Sequence, residues 1–159
     1  MMNFNFNAAE LIFAMPELFL LSAISLILLF DLFVSQRLKQ LTYYLSQLAL
    51  VITGFLAFNL IGENAIIFSG TFVLDSLGST FKVFILGFAI IALVYTRHYL
   101  KAHDLLRNEY FVLALMSILG MMVMVSGHSL LTLYLGLEIM SLSLYALIAT
   151  ARDRASAIE

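Results

Sequence analysis

Glu138 is the residue in this sequence best placed to do chemistry. It lies near the middle of Ser129 to Thr150, SLLTLYLGLEIMSLSLYALIAT, a run that is otherwise apolar or small. At about 1.5 Å per residue a helix of that length crosses the ~30 Å hydrocarbon core of a bilayer. A carboxyl group at such depth costs about 3 kcal/mol on insertion scales, so something must compensate for it. On a helix, Tyr134, Glu138, Ser141 and Tyr145 fall on one side and form a polar stripe that should face protein or water rather than lipid. Burial there favours the protonated carboxyl and a nearby cation favours the ionised one. A group held between the two can exchange protons, as intramembrane acids do in proton relays. The plainer alternative is a protonated glutamate that only hydrogen-bonds a neighbouring helix. Ion handling is the expected role, although no cation stands at the same depth, Lys82 being too near its helix end.

The elements that must position this stripe are membrane helices. Of the 159 residues, 63% are hydrophobic and 11% charged, and the mean hydropathy of +1.04 leaves too little charged surface for a soluble domain. The absence of cysteine removes disulfides, thiolate metal sites and cysteine nucleophiles. The N-terminus MMNFNFNAAELIFAMPE has neither the basic start nor the small-residue cleavage site of a signal peptide, so the first span is expected to be retained.

The composition predicts an all-α, polytopic protein of about five transmembrane helices. The first span is read over Pro16 to Val34, with Pro16 suited to a helix start and Glu17 and Asp31 expected to reach the two interfaces. A second span covers Leu41 to Ile61, where Ser46, Gln47, Thr53 and Asn59 are expected to make packing contacts with neighbouring helices rather than line a pathway. Gly62 to Ser79 is a mixed connection, with a short interfacial segment expected around Ile66 to Leu74. The third span covers Leu77 to Thr96, and Lys82 near its start is expected to snorkel to the headgroups. Asp75 is placed to share a face with Lys82 if that helix extends back to it. TRHYLKAHDLLRNE reads as a charged loop, in which His98 and His103 are not at a metal-binding spacing. Tyr110 to Ser126 is the fourth span, its Met116, Met121, Met122 and Met124 serving as flexible apolar packing. His128 then makes a tight turn into the fifth span. ARDRASAIE at the end is polar and helix-forming.

Lysine and arginine fix an orientation. Arg37, Lys39, Arg97, Lys101, Arg107, Arg152 and Arg154 follow the odd-numbered spans, and only Lys82 lies toward the other side. By the positive-inside rule the N-terminus is expected outside and the end of the fifth span in the cytoplasm.

The stretch NEYFVLALMSILGMMVMVSGHSLLTLYLGLEIMSLSLYALIATARDRASAIE resembles the antiporter-like membrane subunits of bacterial respiratory complex I. Gly136 and Leu137 ahead of Glu138, the Pro16–Glu17 opening, Asp31 and Asp75 point to the N type; the L and M types usually carry tryptophan before the glutamate. The resemblance covers nearly the whole chain but only the N-terminal third of such a subunit. Members have about fourteen transmembrane helices, with two inverted repeats of five beginning at the fourth. The resemblance therefore implies that residues 1–109 hold the first three helices and 110–159 start an incomplete antiporter-like repeat, with Ser156 to Glu159 opening a sixth helix. It further implies that Glu138 is the fifth-helix glutamate, which in the family pairs with a lysine on a broken seventh helix. Ser143 departs from members that carry proline there.

What the resemblance implies about function is proton translocation driven by electron transfer from NADH to quinone elsewhere in the complex. This chain is expected to bind no flavin, iron–sulfur cluster, haem or metal of its own. Its expected partners are other membrane subunits and the lipid of the bacterial plasma membrane, with no nucleic acid. Two alternatives stand beside it: a subunit of a cation/proton antiporter or membrane-bound hydrogenase of the same superfamily, and a membrane scaffold that carries no protons.

Overall fold

The computed structural model describes residues 8–33, 39–102 and 108–155, with the backbone alone at 8–10, 39–40 and 151–155. The elements in order are α1 (Ala8–Phe13), α2 (Met15–Phe33), α3 (Lys39–Asn59), β1 (Ala65–Ile67), a 3-10 turn at Phe68–Gly70, β2 (Phe72–Leu74), α4 (Ser76–Ala102), α5 (Asn108–Ser126) and α6 (Leu130–Ala155). The described residues include five helices long and apolar enough to cross a membrane, α2 to α6. The chain is a multi-pass, all-α membrane protein, as the composition predicts.

The core lies between α2, α3, α4 and α5, where Leu20, Ile24, Leu50, Leu86, Phe111, Leu115 and Met122 are buried together. Hydrophobic residues run all round these helices, as lipid on one side and core on the other require. α5 is the central helix: 56% of its apolar window is buried, against 11% for α6. α6 is fastened to α5 by a glycine seam. A Cβ on Gly120 would stand 2.6 Å from the Met140 nitrogen, and one on Gly136 would stand 2.7 Å from Met124 Cγ and 2.9 Å from the Met124 nitrogen. Only hydrogen at these two positions lets the backbones approach so closely.

The interfacial segment expected around Ile66 to Leu74 is an antiparallel hairpin. Ala65, Ile66 and Ile67 pair with Leu74, Val73 and Phe72, and the loop turns through left-handed Phe68, Ser69 and Gly70. Ile67 and Phe72 bury against Ala14, between α1 and α2, in a small second core. The hairpin is also tied to the α5–α6 turn. Phe72 bridges to Gly127, and the His128 N–H donates to the Thr71 carbonyl at 3.0 Å. One end of the bundle, where α2, α4 and α6 begin, is thus partly roofed by apolar protein.

The helix limits differ from the sequence reading mainly at α4, which continues through TRHYLK to Ala102. The Arg97 guanidinium stacks on Tyr43 at 4.1 Å and on Tyr44 at 4.9 Å, which gives the last turns of α4 a hold on α3. Its start is capped by Asp75, whose Oδ1 accepts from the Gly78 N–H at 2.9 Å. In α3, Ser46 and Thr53 are buried but donate to their own helix, at Thr42 and Ala49. Gln47 alone of the four expected packing residues is seen bonding another helix, donating to the Ile90 carbonyl at 3.4 Å, while Asn59 is exposed. Val34, His103, Arg107 and Ser156 to Glu159 lie outside the described residues.

Candidate functional site

α6 carries the polar stripe as a regular helix. Tyr134 lies one turn before Glu138, and its hydroxyl donates to Glu138 Oε1 at 2.8 Å. The i, i+4 spacing places these two side chains over one another. Ser141 does not reach the carboxyl group; its hydroxyl donates to the Glu138 main-chain carbonyl at 3.2 Å. Tyr145 is 67% exposed. The stripe therefore lies along one helix, but only Tyr134 among its members touches the carboxylate. Glu138 itself is half-buried, and among the described residues it has no ion-pair partner. Ser143 is buried and donates to the Ile139 carbonyl.

A second carboxyl, buried within the bundle, lies on α2, and here the structure corrects the sequence reading. Lys82 does not snorkel to the headgroups and Glu17 does not reach the interface. Both are buried, at 1% and 7% exposure, and Lys82 Nζ lies 2.5 Å from Glu17 Oε1. The reason is geometric. Spans α2 and α4 run in the same direction, and Glu17 is the third residue of its helix and Lys82 the seventh. A lysine side chain leans toward the start of its own helix, and the roughly one turn of difference is within its reach. What it meets there is Glu17, with the Phe72 ring 5.1 Å from the ammonium. Ser126, the last residue of α5, donates to Glu17 Oε1 at 3.4 Å.

Asp31 also does more than reach an interface. Its Oδ1 accepts from Thr42 Oγ1 at 3.0 Å and from Asn108 Nδ2 at 2.5 Å, joining the end of α2 to the starts of α3 and α5. Among the described residues, no three His, Cys, Asp or Glu side chains gather as metal ligands would.

No family model matches the chain. The subunit N of NADH-quinone oxidoreductase from Ruthia magnifica subsp. Calyptogena magnifica is 64% identical over 155 residues, covering 97% of this chain and 32% of that protein. The subunit N proteins of Halorhodospira halophila and Alkalilimnicola ehrlichii are 45% and 44% identical, over 98% and 92% of this chain and 32% and 30% of theirs. The chain thus spans about a third of the length of the curated relatives it matches. Across nearly every one of its residues the chain is thus similar to about a third of NADH-quinone oxidoreductase subunit N.

Proposed function

We propose that this chain serves in a proton-translocating NADH:quinone oxidoreductase as part of an antiporter-like membrane subunit, contributing Glu138 to proton coupling. The observation that carries the reading is the placement of Glu138, half-buried in mid-helix on a span that packs on one side only. A carboxyl group there, with one phenol donor and lipid-depth surroundings, needs further polar or cationic company to carry charge. The family resemblance supplies that company as a lysine on a later, broken helix. Redox energy released elsewhere in the complex would close and open the Glu138–lysine contact. Closure favours the carboxylate, and opening lets it take up a proton from the hydrated axis of the subunit.

On this reading the partners are other membrane subunits and lipid, and residues 110–159 begin an antiporter-like repeat behind the helices of 1–109. The membrane is the bacterial plasma membrane, with the N-terminus outside by the lysine and arginine placement. The relatives, all subunits of NADH-quinone oxidoreductase, favour the NADH:quinone complex over an antiporter or hydrogenase subunit. The test is Glu138→Gln in the assembled complex. Proton pumping and coupled quinone reduction should fall while assembly survives, and normal pumping at normal turnover would sink the assignment.

A second reading, a scaffold that carries no protons, draws on the lack of a cation for Glu138 among the described residues. Reconstituted alone, residues 1–159 should then join partner subunits without proton flux. Flux from this chain alone would contradict both that reading and the need for a distant lysine.

A further inference from the structure

The Glu17–Lys82 pair is placed unlike a mere helix clamp. Its two charges are buried inside the bundle, yet their polar atoms are not all met by protein. Among the described residues, Glu17 Oε2 has no hydrogen-bond partner, and neither does the Ser79 hydroxyl; the Lys82 ammonium has its contact with Glu17 and no well-directed hydrogen bond. Ser79 is 1% exposed and lies one turn before Lys82, on the same side of α4. Buried polar atoms in this state are normally satisfied by internal water. Three such atoms from two helices, with the Ser126 hydroxyl on a third, can bind it.

We propose that Glu17, Lys82, Ser79 and Ser126 form a second, water-containing proton-holding centre at the end of the bundle partly roofed by the hairpin, with Phe72 as its cover. The inference rests on the proton-coupling reading above, since it supplies that process with a further station. In its resting form the centre holds a carboxylate beside an ammonium. One proton arriving along internal water binds Glu17 and leaves a carboxylic acid beside the ammonium; its departure by the same water restores the ion pair. No electrons move and no bond other than O–H forms or breaks. The Phe72 ring, 5.1 Å from Lys82 Nζ, stabilises the cation while Glu17 is neutral.

The experiment compares Glu17→Gln/Lys82→Met with Glu138→Gln in the assembled complex. The double variant removes both charges together, so no lone buried charge is left to prevent folding. A structural ion pair replaced in this way should leave protons pumped per electron pair unchanged. The expected result is normal assembly with pumping reduced at least about twofold. Infrared difference spectra of the working complex should contain a protonated-carboxyl band that is lost in the double variant and kept in Glu138→Gln. Assembly with wild-type pumping and no Glu17-dependent band overturns the proposal. Where the double variant does not assemble, Ser79→Ala decides, because it removes a water ligand without touching a charge: lowered pumping supports the centre and unchanged pumping overturns it. Normal pumping in Glu138→Gln removes the Glu138 assignment alone, so the two failures are distinguishable.

Discussion

Lys82 and Glu17, 65 positions apart in the chain, meet at 2.5 Å with their side chains 2% and 8% exposed. Two helices that start on the same side of the membrane are joined there by a charge contact that neither could make with lipid. A buried pair of this kind is unforgiving of single substitutions. Lys82→Ala or Glu17→Ala should destabilise the bundle by about 3–5 kcal/mol, because each leaves its partner charged and alone. The neutral pair Glu17→Gln/Lys82→Met should recover most of that loss. Thermal unfolding in detergent measures all three, and equal losses in the single and double variants would contradict the pairing.

The glycine seam sets the distance between α5 and α6. Gly120→Ala and Gly136→Ala should each lower stability by about 1–3 kcal/mol, since the added methyl meets backbone or a half-buried methionine at less than 3 Å. A cysteine pair across the seam should cross-link readily in the parent and poorly in either variant.

Arg97→Lys should loosen the last turns of α4. The ammonium keeps the charge but gives up the flat stack on Tyr43 and Tyr44, a change worth about 1 kcal/mol at a partly exposed site. Amide hydrogen exchange between Arg97 and Ala102 should accelerate while exchange at the buried centre of α4 is unchanged.

Asp31→Ala should weaken the opposite end of the bundle by about 1–3 kcal/mol, because Thr42 and Asn108 lose their shared acceptor. Asp31→Asn should lose less, since its amide oxygen still accepts. Unfolding midpoints of the two variants test the order.

Tyr134→Phe removes the one donor seen on the Glu138 carboxylate. Proton pumping should fall in this variant, but less than in Glu138→Gln, with assembly intact. A Tyr134→Phe effect equal to or larger than that of Glu138→Gln would place the working group on the phenol instead.

The spans were readable from hydropathy because each is a near-continuous apolar run, and the Tyr134–Glu138 contact was readable because a helix fixes i, i+4 neighbours wherever it lies. The Glu17–Lys82 pair was not read, although its signal is present. Two opposite charges sit near the starts of spans that run the same way, and comparing their depths brings them together. What hid it was the assumption that a span's first turns lie at the headgroups. The hairpin removes that interface, and its six strand residues are too few to announce themselves among the apolar stretches of 62–79. The extension of α4 was concealed likewise by charge: TRHYLK looks like loop until tyrosines of α3 give its arginine somewhere to lie.

The fastening of Thr71 and Phe72 to Gly127 and His128 has a mechanical consequence. Gly127 and His128 form the corner from which α6 starts, and Phe72 touches Lys82. Any tilt of α6 about that corner tugs the strand and shifts the aromatic ring across the ammonium. The helix bearing Glu138 and the aromatic ring beside Lys82 thus share one backbone attachment, at the α5–α6 turn.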